Sequence, residues 1–291
     1  MPPGDAPLEA IAERYALPVE ALDGWTIAVN LTRSGCRIND LGLRVYAERL
    51  AARAVLQRAT RLVGPLRSAT MQVREPLREP YAGELDVEAT LANIAGKPYP
   101  EDHDWVGLHR EERRRQLVLM VDASLSMAGE KMALASVAAA VLALRSHHGD
   151  LSVVLFADEA RVVSRLSEEA SPEEIVRRML ARPCGGATHI AAGLRRGHEE
   201  LARCRDPRRS ALLVTDGMFT AGPDPCAEAA RFSDLHVLLI REHEQSGTGW
   251  VTPRRLVGEA IARSGHGHVT RVDGFSELPR SMVEVVGKLL R

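Results

Sequence analysis

Leu117-Val118-Leu119-Met120-Val121-Asp122-Ala123-Ser124-Leu125-Ser126 decides the reading of this chain. The apolar run has no polar alternation and reads as a strand buried on both faces, predicted over 116–121. One carboxylate and two hydroxyls, spaced by two, then stand just past the strand's carboxyl end. Such oxygens suit a small hard cation such as Mg2+.

Downstream of this stretch, strand and helix patterns alternate. Strands are predicted over 151–156, 160–163, 211–215, 235–240 and 268–272, and helices over 131–145, 172–181, 190–204, 225–232, 253–264 and 276–290. Ser171-Pro172-Glu173-Glu174 carries a helix-start signature, with a capping box and Pro at the first helical position. The alternation implies an α/β fold, a doubly wound and mainly parallel sheet flanked by helices. Upstream, residues 1–66 read as an N-terminal, mainly helical region. Short helices over 8–15 and 19–22 are broken at Pro18, and a longer one over 40–63 is stopped by Gly64-Pro65. That helix carries Arg44, Arg49, Arg53, Arg58 and Arg61 on a face read as solvated. Residues 67–113 form a connecting segment broken by Pro76, Pro80, Pro98 and Pro100, with one short helix over 86–95 capped by Asp86 and followed by Gly96. The Rossmann-like domain is expected over 114–291.

In a doubly wound sheet, ligands bind outside the carboxyl ends of the strands, where strand order reverses. Three segments are expected to converge there: the Asp122-Ser126 loop, Asp216-Gly217 after the strand 211–215, and Cys184-Gly185-Gly186-Ala187-Thr188 before a helix. Asp122, Ser124, Ser126, Thr188 and Asp216 offer oxygen alone, without sulfur or imidazole, which favours Mg2+, or another divalent cation such as Mn2+ or Ca2+, over zinc or copper. With too few protein oxygens to fill the shell, one position stays open for an anionic oxygen such as a partner protein's Asp or Glu.

Asp122-x-Ser124-x-Ser126, Thr188 and Asp216 resemble the metal-ion-dependent adhesion site (MIDAS) of von Willebrand factor A (VWA) domains. Gly185-Gly186-Ala187-Thr188 is similar to that family's Gly-Gly-Thr segment, with Ala187 inserted, and Leu125 stands where many members have Gly. The segment Tyr81-Ala82-Gly83-Glu84-Leu85-Asp86, followed by Met120 to Met127, is similar to bacterial CoxE-like proteins. That resemblance implies a metal-dependent protein-binding module, with a MoxR-type AAA+ ATPase as a possible partner in protein remodelling or metallocofactor maturation. A subunit of a magnesium or cobalt chelatase-like complex is the alternative it leaves open, and a Mg2+-dependent hydrolase is a further one.

Composition narrows the rest. A formal charge of -1 gives no general attraction to nucleic acid. Cys36, Cys184, Cys204 and Cys226 make no C-x-x-C or zinc spacing and read as free thiols, Cys184 as a quiet small residue. No signal-peptide pattern opens the chain and no apolar run is long enough for a bilayer, so a soluble cytoplasmic protein without membrane contact is expected. No phosphate-binding P-loop and no nucleophile elbow appear, so no enzymatic activity is expected. His189 is read as a rim residue and Asp158 as part of a turn.

Overall fold

The computed structural model describes residues 6–63, 70–76, 84–112, 115–147, 149–204, 208–240, 253–274 and 276–289. Helices α1 (Ala6–Tyr15), α2 (Gly24–Leu31) and α3 (Leu41–Val63) come first. Strands β1 (Thr70–Pro76) and β2 (Glu84–Leu85), helix α4 (Val87–Ile94) and strand β3 (Val106–Glu112) follow. Then come β4 (Gln116–Asp122), α5 (Glu130–Arg145), β5 (Leu151–Phe156), β6 (Ala160–Ser164), α6 (Pro172–Leu180) and α7 (Ile190–Ala202). The chain continues through β7 (Arg209–Thr215), α8 (Pro225–Ala229), β8 (Leu235–Ile240), α9 (Pro253–Ser264), β9 (His266–Val272) and α10 (Leu278–Leu289). Gly64-Pro65, Pro80, Tyr81-Ala82-Gly83 and Leu290, which figure in the sequence reading, lie outside the described residues.

Residues 1–66 and 114–289 form one compact unit, and 67–113 with 290–291 a second. In the second, β1, β3 and β2 form an antiparallel sheet in that order. Asp86 caps α4 by accepting from Ala89 N–H at 3.0 Å, and its other oxygen takes Arg74 Nε at 2.7 Å. Only the helix of this segment is expected from sequence; the sheet is an addition.

In the first unit, the sheet order is β6-β5-β4-β7-β8-β9. All neighbours are parallel except β6, which turns back antiparallel on β5. The fold is the expected doubly wound one. β4 has β5 on one side and β7 on the other, so the chain reverses its direction of strand addition there. Burial explains the uninterrupted apolar strands. Leu117, Leu119 and Val121 face one helical layer, while Val118 and Met120 join the core on the other with Ile190, Leu194 and Ile261.

On the first face, α5 is buried along nearly its whole length, from Lys131 to Leu142. The N-terminal helices account for this: α3 packs against α5 and α6, and α2 against α3 and α5. Glu48 of α3, 4 % exposed, lies 3.6 Å from Arg177 of α6. On the Arg-rich face of α3, Arg58 sits 4.3 Å over the Trp25 ring. The sequence reading lacks α2, which Asp23 caps by accepting from Thr26 N–H at 2.7 Å.

On the second face, α7 approaches β4 and β5 closely because Gly193 and Gly197 carry no side chain. A Cβ at Gly193 would stand 2.5 Å from Phe156 Cδ1, and one at Gly197 would run into the Met120 thioether. Gly193→Val is therefore expected to destabilise the protein by about 2–3 kcal/mol through overpacking. The urea midpoint, with unchanged slope, measures it. At the far end of the sheet, Asp234 accepts from Ser210 Oγ at 2.7 Å and lies 3.0 Å from His236 Nε2, tying the starts of β7 and β8.

Candidate metal centre

The carboxyl ends of β4 and β7 deliver Asp122 and Asp216, and the turn before α7 delivers Thr188. Asp122 is held on both oxygens: Ser124 N–H donates to Oδ1 at 2.9 Å and the Thr215 hydroxyl donates to Oδ2 at 2.7 Å. Asp216 is held likewise, by Met218 N–H on Oδ1 at 3.0 Å and Lys131 Nζ on Oδ2 at 3.1 Å. Each oxygen has two lone pairs, so these bonds orient the carboxylates and leave acceptor capacity. Ser124 Oγ and Ser126 Oγ are 3.2 Å apart.

Hydrogen bonds close the three loops into a ring. Between the first two, Gly185 N–H donates to Ala123 O at 3.0 Å and Leu125 N–H to Gly186 O at 3.4 Å. The second joins the third through Thr188, whose N–H donates to Thr220 Oγ1 at 2.8 Å and whose carbonyl accepts from Thr220 and Ala221 at 3.2 Å. Thr215 and Lys131 join the third to the first, Lys131 Nζ also donating to Ser126 O at 3.0 Å. All five expected site residues thus stand on one hydrogen-bonded ring at the strand-order reversal. Asp122, Ser124, Thr188 and Asp216 are each at most 2 % exposed, and Ser126 is partly exposed.

Burial pushes the Asp122 carboxyl from its ordinary 3.8 up to about 6. The bonds from Ser124 and Thr215 oppose that rise, and the nearby charge of Asp216 adds to it. Two buried carboxylates near one another call for positive charge. Lys131 supplies one charge, with its side chain 7 % exposed. A divalent cation fits the remaining demand: the donors are hard oxygens, and neighbouring oxygens of an octahedral Mg2+ shell stand about 3 Å apart, close to the serine pair. Among the described residues no three His, Cys, Asp or Glu side chains gather as metal ligands, so a cation here depends on the hydroxyls.

Lys131, Thr215, Thr220 and Asp158 escape the sequence reading as site residues. Asp158 does more than form a turn: its Oδ1 accepts from Ala187 N–H at 2.9 Å, bracing the segment that carries Thr188. Gly186 beside it has φ +80, and a Cβ there would meet the Asp158 carboxylate. The one available signal for Lys131 is rarity, since the chain has only Lys97, Lys131 and Lys288 among its basic residues besides arginine. Burial pushes the Cys184 thiol up to about 12, so it stays protonated, as a quiet small residue does. His189 is half-buried, its ring against Gly222 and its backbone N–H donating to Ala157 O at 3.0 Å. Leu125 and Phe219, 59 % and 38 % exposed, belong to the first and third loops.

Solved structures resemble this chain at low identity. The protein BatB from Bacteroides thetaiotaomicron is 14 % identical with a TM-score of 0.47, over 60 % of this chain and 98 % of that one. A von Willebrand factor type A protein from Catenulispora acidiphila is 20 % identical with a TM-score of 0.47, over 64 % and 45 %. Proximal thread matrix protein 1 from the mussel byssus, with a zinc-occupied MIDAS motif, is 22 % identical with a TM-score of 0.47, over 60 % and 48 %. The comparison with curated proteins gives no match. The profile described as a VWA domain containing CoxE-like protein matches residues 56–236, well over half of the sequence. The chain belongs to that family of CoxE-like proteins with a VWA domain.

Proposed function

We propose that this protein is a metal-dependent protein-binding module in which Asp122, Ser124, Ser126, Thr188 and Asp216 hold Mg2+, or Mn2+ or Ca2+ in its place. The observation that carries the reading is the ring of three hydrogen-bonded loops, which sets two buried carboxylates and the paired serine hydroxyls at one point of the sheet. A bound cation supplies a coordination position for an anionic oxygen, and a partner protein's Asp or Glu is the group we assign to it. Lys131 and Thr215 fix the carboxylates, and the exposed Leu125 and Phe219 offer apolar contact to the same partner. We read the site as one for binding rather than catalysis, a reading supported by Ser124 Oγ being paired with Ser126 Oγ at 3.2 Å. As the partner we assign a MoxR-type AAA+ ATPase, with a role in protein remodelling or metallocofactor maturation in the cytoplasm, on the sequence resemblance to CoxE-like proteins noted above. No helix among the described residues is long and apolar enough to cross a membrane.

Isothermal titration tests the reading. Mg2+ binds the wild-type chain, and the AAA+ partner binds in Mg2+ but not in a chelator. Absence of binding by Mg2+, Mn2+ and Ca2+ alike overturns the proposal.

Proton linkage gives a second expectation. The folded-state pKa of Asp122 lies above its ordinary value, so this group disfavours folding once ionised. The metal-free protein keeps the full contribution below about pH 4 and loses about 3 kcal/mol as pH rises through about 6. Asp122→Asn removes that dependence, so the difference between the two denaturation profiles across pH isolates it. Mg2+ requires the ionised form, so its affinity falls about tenfold per pH unit below about 6.

A further inference from the structure

Thr32 lies just past α2, among the N-terminal helices, yet its hydroxyl and its carbonyl both engage the loops of the candidate metal centre. Its hydroxyl accepts from Gly129 N–H at 3.0 Å, and its carbonyl accepts from Cys184 N–H at 2.8 Å. Gly129 closes the loop that carries Asp122, Ser124 and Ser126; Cys184 opens the segment that carries Thr188. Thr32 is fully buried, and its hydroxyl donates to Val29 O at 3.1 Å, which aims its lone pairs away from its own helix. Carbonyls at a helix end lack partners within the helix, and the one at Thr32 is satisfied by another segment more than a hundred residues along the chain. Gly129 is the N-cap of α5 at φ +85, and the Thr32 hydroxyl holds its N–H.

We infer that Thr32 is a positioning residue for the metal centre, clamping the serine-bearing loop and the Thr188 segment at a fixed spacing from a point outside the sheet. This inference rests on the metal-binding reading above. It makes the N-terminal helices part of the site's frame: a displacement of α2 moves two ligand-bearing loops together, and a cation that draws those loops in tightens the seat of α2.

Thr32→Val keeps the branched shape and removes the acceptor, and Thr32→Ser keeps the hydroxyl. By isothermal titration, well below the unfolding transition, Mg2+ binds Thr32→Val roughly tenfold or more weakly than wild type, the usual effect of losing an outer-shell group. Thr32→Ser binds close to wild type. If wild type and Thr32→Val bind Mg2+ equally well, the clamp is overturned and the metal reading stands. If wild type binds none of Mg2+, Mn2+ and Ca2+, both fall. Should Thr32→Val fail to fold, hydrogen exchange on the wild-type chain reads the same contacts. The Gly129 and Cys184 amides are protected and slow further with Mg2+; exchange that Mg2+ leaves unchanged at both overturns the clamp.

Discussion

Asp122→Ala abolishes Mg2+ binding while the chain stays folded. Asp122 is fully buried and anchored from both sides, by Ser124 N–H and the Thr215 hydroxyl, so its carboxylate is fixed at the centre. Loss of a ligand exceeds the roughly 100-fold upper range seen for groups behind the ligands. The metal-free variant loses a buried charge that disfavours folding, which offsets the two donors left without an acceptor. Its urea midpoint in chelator therefore stays near wild type, while its midpoint no longer rises with added Mg2+. Isothermal titration that still detects Mg2+ at wild-type affinity removes Asp122 from the ligand set. Partner binding disappears with the metal, and a partner held equally by Asp122→Ala and wild type docks elsewhere.

Lys131→Met gives the second large effect, and its sign depends on the metal. The Lys131 ammonium is the positive charge on Asp216 Oδ2, in a pair whose side chains are 7 % and 1 % exposed. Breaking a buried pair by removing one partner costs about 3–5 kcal/mol, because the other charge is left behind. The metal-free variant is destabilised by that order. Mg2+ then repairs what the substitution removed, since a ligand stabilises by an amount that grows with its affinity, and the affinity rises once a competing cation is gone. Urea midpoints in chelator and in saturating Mg2+ are the measurement, with the gap to wild type wide in the first and narrow in the second. A gap of equal width in both conditions assigns Lys131 to packing rather than to charge.

The parts of this molecule legible in sequence are those where one physical requirement dominates. β4, β7 and β8 are buried on both faces, so their residues are almost continuously apolar, and the oxygen-bearing loops after β4 and β7 stand out against those runs. Asp86 and Ser171 cap their helices as their types suggest. α2 was hidden because local preference and tertiary environment disagree: Thr26, Ile27 and Val29 are β-branched and lower helix propensity. Burial of Ile27, Ala28 and Leu31 overrides it, with Gly24 allowing close approach to the Leu50 carbonyl. The sheet of β1, β2 and β3 was hidden by charges and prolines that resemble a linker. In the candidate site, the five expected residues converge on one ring. Their supports were invisible, because Lys131 reads as a helix residue, Thr215 as a strand residue and Thr32 as a helix end. Each gains its role from a partner 85 or more residues away.

The seating of α3 against α5 and α6 has a consequence for biosynthesis. Residues 41–63 leave the ribosome well before 130–180 exist, on the order of ten seconds earlier at ordinary elongation rates. Until then Ala47, Ala51, Ala52 and Val55, all fully buried in the finished protein, lack their later-made neighbours. The earliest helices thus complete their burial late, after the parallel strands between them have been made. Nascent-chain length, rather than the helices' own propensity, sets when the amino-terminal segment locks onto the sheet domain.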